Sequence, residues 1–153
     1  AGQSTGTDPD DGSLADWTVD YPVKVVLDDA TIDAASGRTM NFKLYKTNES
    51  GTASEVYDGT SAVTVKLKSH AQTDSSDGIQ MMNNGTAQQK VVMSITDENG
   101  TTNIATNTDT EVMTLDKDHT ALTSKAYLKD NSGAEKGKTY TQTLTWIFED
   151  SDI

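Results

Sequence analysis

Cysteine is absent from this 153-residue chain, and proline occurs only twice, at Pro9 and Pro22. Without cysteine there is neither a thiol nucleophile nor a disulfide, so stability must come from core packing or from assembly. Histidine is almost as scarce: His70 and His119 each sit in polar surroundings with no partner at ligand or catalytic spacing. Aromatic residues make up 6% of the chain and hydrophobic residues 33%. No apolar stretch approaches the roughly 20 residues that a bilayer span needs. No Gly-x-Ser-x-Gly elbow, Walker-type loop or dinucleotide-binding glycine pattern occurs. The expectation is a protein that is not an enzyme, with no catalytic residue, no metal site and no cofactor.

Positive charge is also short. Twelve Lys and Arg face 24 Asp and Glu, for a net charge of −12. Phosphate backbones need the opposite field, so a DNA or RNA partner is not expected. Anionic membrane surfaces are disfavoured for the same reason. The plain reading of the acidity is solubility and suppression of non-specific association. Calcium is the cation worth weighing, because Asp8-Pro-Asp-Asp-Gly-Ser-Leu-Ala-Asp16 spaces carboxylates like an oxygen-ligand loop. That segment lacks the closing bidentate Glu of an EF-hand, and a solvated acidic loop explains it equally. The Asp28-Asp29 pair and the Asp97-Glu98-Asn99 cluster read the same way.

What is abundant points to strands. Threonine fills 24 positions and Asp 18, against only 6 Glu. Threonine suits pleated, half-exposed surfaces, and Asp favours turns and caps over helix interiors. Lys138-Thr-Tyr-Thr-Gln-Thr-Leu-Thr-Trp-Ile-Phe148 puts Tyr140, Leu144, Trp146 and Phe148 on one face and threonines on the other. That period of two marks a strand with one buried and one wet face. Trp17, Val19, Tyr21, Val23, Val25 and Leu27 alternate in the same way, interrupted by Pro22. Proline cannot donate to a ladder, so this run is either an edge strand or two strands meeting at a break.

Shorter alternating sets follow at Met40–Leu44, Val63–Leu67 and Val91–Ile95, with weaker ones at Ile79–Met82, Val112–Leu115 and Leu122–Leu128. Turn signals such as Ser36-Gly37, Asp58-Gly59, Asp77-Gly78, Asn83-Asn-Gly85, Asp97-Glu-Asn-Gly100 and Asn131-Ser-Gly133 separate them. Residues 1–16 carry almost nothing to bury and read as a flexible arm. Residues 17–153 then form a single domain, an all-β, immunoglobulin-like antiparallel β-sandwich of about seven to nine strands. Thr101 to Thr110 reads as a long polar loop or a poorly specified edge. The chain opens on Ala1 rather than Met, which fits a secreted protein after signal-peptide cleavage and equally a trimmed one.

Two families share parts of this pattern. Gly137-Lys-Thr-Tyr-Thr-Gln-Thr-Leu-Thr-Trp-Ile-Phe-Glu-Asp resembles the closing strand of Gram-positive WxL cell-surface domains, which end in Tyr-Thr-x-Thr-Leu-Thr-Trp. Trp146-Ile147-Phe148 stands where that family has Trp-x-Leu. The layout also resembles cysteine-free fimbrial major pilins. In those, an alternating N-terminal donor segment ends at a proline and an incomplete sandwich follows.

The pilin resemblance implies a structural or adhesive subunit of a bacterial cell-surface filament, a head-to-tail homopolymer. Trp17, Val19, Tyr21 and Val23 then form the assembly strand, within the exchangeable segment 17–27. Tyr140, Leu144, Trp146 and Phe148 line the acceptor or closing strand. A secretion chaperone and a host or cell-wall ligand are the partners implied. The same N-terminal strand pairing in cis gives the alternative, a monomeric wall-bound domain of WxL type or a carbohydrate-binding surface module.

Overall fold

Strands form wherever apolar side chains recur at every second residue, and turns where Gly, Asn and Asp cluster between them. A computed structural model of the chain describes residues 2–7, 14–47 and 53–151, and no helix occurs among them. The N-terminal part forms β1 (Gly2–Thr7), β2 (Leu14–Tyr21), β3 (Lys24–Asp28), β4 (Arg38–Thr47) and β5 (Ala53–Val56). The middle forms β6 (Val63–Leu67), β7 (Thr73–Ser75), β8 (Gly78–Asn83) and β9 (Thr86–Ile95). The C-terminal part forms β10 (Thr110–Leu115), β11 (Ala121–Asp130), β12 (Thr139–Thr143) and β13 (Trp146–Asp150).

Ten of these strands build one curled antiparallel sheet in the order β1-β2-β4-β11-β9-β8-β12-β3, with β5 added to β4 and β7 to β8. The other three form a small sheet, β10-β6-β13. The inward faces meet in one core. Met40, Phe42 and Leu44 of β4, Met93 and Ile95 of β9 and Leu27 of β3 are buried together with Val63, Val65 and Leu67 of β6. The chain is therefore all-β, as its composition requires.

Turn chemistry accounts for the tightest connection. Asn84 and Gly85 both take positive φ, 51° and 76°, between β8 and β9. Two left-handed residues in a two-residue loop match the twist of the flanking strands, and Asn-Gly is the dipeptide that adopts them most readily. The polar stretch after β9 is tied down rather than free. Ile104 and Thr106 are buried, and the Thr106 hydroxyl donates to the carbonyl of Gly78 at 3.2 Å.

Several boundaries differ from those expected. Gly2–Thr7 is a strand on the outer side of β2, held by a main-chain ladder that needs no apolar side chain. Trp17 to Leu27 is two strands, and Lys138 to Phe148 is also two. Thirteen strands among the described residues exceed the expected seven to nine because these long runs divide and short polar strands (β5 and β7) add to the sheet. Most of the Asp8–Asp16 segment lies outside the described residues.

Outside the core, one carboxylate gathers four elements. Asp77, in the turn between β7 and β8, pairs with Lys129 of β11 and accepts from Ser75 at 3.3 Å. The Asn103 side chain bonds the same carboxylate, and the Tyr127 hydroxyl donates to Asn103 at 2.9 Å. The Lys129 hydrogen bond holds the Asp77 carboxyl below its ordinary range against an opposing effect of burial. A lowered folded pKa gives stability that is present above the unfolded value and lost as pH falls through the folded one. Asp77→Asn is expected to lower the urea midpoint at neutral pH, with the gap to wild type closing below about pH 4. A gap that stays constant down to pH 2.5 contradicts this assignment.

Candidate functional site

Two crossovers meet at one corner of the domain. The first follows from Pro22, which lacks an N–H and so cannot continue the β2 ladder. The chain leaves β2 there and resumes at Lys24 as β3, at the far end of the sheet order. The second lies at Leu144 and Thr145, where the chain leaves β12 in the large sheet and enters β13 in the small one. Tyr140, Gln142, Leu144 and Trp146 are all buried, so the alternation runs through the switch without a break in phase.

Direct bonds hold the two crossovers together. The Leu144 N–H donates to the Val23 carbonyl at 2.9 Å, and the Trp146 indole N–H donates to the Pro22 carbonyl at 2.6 Å. The Trp17 indole donates to the buried carboxylate of Asp150, 133 residues away in sequence. Tyr21 packs on Phe148 with ring centroids 5.0 Å apart. As the residue number rises along one run it falls along the other, so the runs lie antiparallel across the corner. Trp146 also meets Phe42 edge to face, at 4.8 Å and 81°, the geometry that aromatic quadrupoles favour.

Within this single chain the expected assembly residues lie against its own strands. Trp17 and Val19 are buried in the chain's own core, with Lys46 and Leu44 of β4 as their register partners. Tyr21 is half-buried opposite Gly2 of β1, and Val23 is 40% exposed at the bend. The expected closing residues divide between sheets. Tyr140 of β12 sits opposite Leu27 of β3, whereas Trp146 and Phe148 of β13 pair with Leu67 and Val65 of β6. Trp17, Val19, Tyr21 and Val23 line the first run, and Tyr140, Leu144, Trp146 and Phe148 line the second.

Polar groups behind the corner complete it. Tyr57 is buried, and its hydroxyl accepts from the Ser61 N–H at 3.1 Å. Burial pushes the phenol pKa up, and the nearby charge of Asp16 adds to the shift. Gly59 fits here because a Cβ would stand 2.4 Å from the Tyr57 oxygen and 2.5 Å from Asp16. Asp150 continues the inward phase of Trp146, and nothing in the sequence marks it as the acceptor for Trp17. Tyr57 carried no separate signal.

The remaining carboxylate clusters close their own turns. Asp97 accepts from the Asn99 N–H at 3.1 Å, and Asp28 accepts from the Ala30 N–H at 2.9 Å. Among the described residues no three His, Cys, Asp or Glu side chains gather as a metal site would require. No described helix is long and apolar enough to cross a membrane. No family model, curated protein or solved structure matches the chain.

Replacing Trp146 by Phe keeps a ring against Phe42 but removes the donor to Pro22. The Pro22 carbonyl is part-buried, so losing this bond costs about 0.5–1.5 kcal/mol, the net contribution of one hydrogen bond. Trp146→Phe is expected to lower stability by that amount in urea titrations while preserving the strand signature in circular dichroism. An unchanged midpoint contradicts the role given to the indole N–H.

Proposed function

We propose that this protein is a non-enzymatic structural subunit of a bacterial cell surface, a β-domain completed by its own N-terminal strand. The observation that carries this reading is the joining of β2 to β13 at the paired crossovers. A pull applied through these two strands meets hydrogen bonds and ring contacts between them before it reaches the rest of the sheets. Resistance to forced unfolding is set by the unfolding barrier, and a cysteine-free surface module needs that barrier to come from packing. The aromatic residues also fit a structural role better than a flat sugar-binding row. Trp17, Phe42, Tyr57, Tyr140 and Trp146 are buried, and the other four rings are half-buried.

A second reading, the filament subunit with an exchanged N-terminal strand, is favoured by one feature. Strands β1 and β2 end the large sheet and ladder to it through β4 alone, with the Trp17 and Tyr21 contacts to β13 as their other hold. They could leave as a unit and be replaced by the hairpin of another copy, a head-to-tail contact that propagates without closing. Withdrawal exposes Trp17 and Val19, at about 1.5–3 kcal/mol for each large side chain, so replacement must accompany departure. A secretion chaperone that covers the gap would serve that step.

Two experiments test these readings. Immunogold labelling of intact source cells is expected to place the protein on the outer surface, and label confined to the interior contradicts both. Electron microscopy of the purified chain then separates them. Discrete particles fit the self-completed domain, and thin fibres of regular width fit exchange.

A further inference from the structure

Among the described residues strand β3 ends the ten-stranded sheet and ladders on one side only, with β12. The bond from Leu144 N–H to the Val23 carbonyl sets the phase of this ladder. In an antiparallel pair hydrogen-bonded positions alternate, so Val25 and Leu27 turn their main-chain groups toward β12. Those of Lys24, Val26 and Asp28 turn to the free edge. Asp28 engages its own with Thr31, its N–H reaching the hydroxyl at 3.2 Å and its carbonyl accepting from that hydroxyl at 2.8 Å. Lys24 and Val26 remain turned outward.

The side chains along this edge are unusual for the molecule. Val26 is 44% exposed, with Val23 at 40% just before it and Ile32 at 51% just after the strand. These are three of the four exposed large hydrophobic residues among the described ones; the fourth, Val56, is on β5. Lys24 is exposed and forms no ion pair among the described residues. Edge strands of monomers are commonly guarded by Pro and Lys, and Pro22 and Lys24 stand where such guards belong.

We propose that β3 is a dimer edge, pairing antiparallel with β3 of a second copy about a two-fold axis through Val26. The strand Lys24-Val-Val-Leu-Asp28 is complementary to itself in that register. Val26 meets Val26 of the other copy through main-chain bonds, Lys24 meets Asp28 through side chains alone because Thr31 holds the Asp28 main chain, and Val25 stands opposite Leu27. An isologous contact makes each pair twice. Parallel alignment would set Lys24 against Lys24 and Asp28 against Asp28, and like charges directly opposite are destabilising. A one-residue slip would set Val26 against Leu27, whose main-chain groups are already turned to β12. The lysine thus acts as a guard against other pairings and as a partner in this one. Arg38 lies 3.5 Å from the same Asp28 carboxylate and shares it with the incoming lysine.

The absence of native cysteine makes the test clean. Val26→Cys places one thiol on the axis, where hydrogen-bonded antiparallel partners lie about 5.5 Å apart between Cα atoms, inside the range a disulfide spans. Mild oxidation is expected to convert V26C to a disulfide-linked dimer, while V56C, at a more exposed site (68%), stays monomeric. Equal and slow dimerisation of the two variants overturns the proposal. Sedimentation equilibrium gives an independent readout at about 0.15 M salt, where repulsion between two acidic chains is screened within about 8 Å. Lys24→Asp is expected to weaken the wild-type dimer at least about tenfold, and Lys24→Arg to preserve it. A wild-type chain that stays monomeric up to about 1 mM, or a K24D variant that dimerises like wild type, overturns the proposal as well.

Discussion

The bond from the Trp146 indole to the Pro22 carbonyl joins the two places where this chain changes position between its sheets. A proline must leave its ladder, and the carbonyl before the next strand then needs a donor from elsewhere. Trp146 supplies it from the other crossover, and the Leu144 N–H does the same for Val23. Once these bonds form, β3 is aligned on β12 and β13 is aligned on β6, and the curled sheet has its cover. The core of Phe42, Leu44, Val65 and Leu67 closes around that corner. Trp17 and Asp150 extend the same contact outward along both runs.

The two ends of the large sheet are finished differently. At one end β1 covers β2 with a strand of Gly, Gln, Ser and Thr, which adds main-chain bonds and no apolar surface. At the other end β3 carries Val26 in the open, beside a lysine without an ion-pair partner among the described residues. An acidic chain of net charge −12 discourages indiscriminate association. Against that background a short self-complementary edge is selective, since it admits one register and one symmetry. The hairpin at the first end and the edge strand at the second are thus separate devices, one for completing the domain and one for pairing it.

Much of this was legible wherever burial alternates cleanly. Met40, Phe42 and Leu44 marked β4, and Val63, Val65 and Leu67 marked β6, because each set has one face in the core. Pro22 announced a break, although not that β2 and β3 would stand at opposite ends of one sheet. The switch between β12 and β13 left no mark, because both strands present the same face to one core and their phase never changes. Strand β1 was illegible for a different reason: its pairing is made by main-chain groups that every sequence carries. Of the candidate site, the aromatic residues could be named from the sequence, but their partners could not. The Pro22 carbonyl is a main-chain acceptor, and Asp150 became an internal acceptor only through the sheet change that precedes it.

The most direct measurement of this account is an isotope-filtered NOE experiment on a mixture of labelled and unlabelled chains. The Trp146 indole proton is expected to show contacts to Pro22 within a chain and none between chains. Contacts of comparable strength between labelled and unlabelled chains would place the N-terminal strand of one copy in another and contradict a domain completed by its own crossovers.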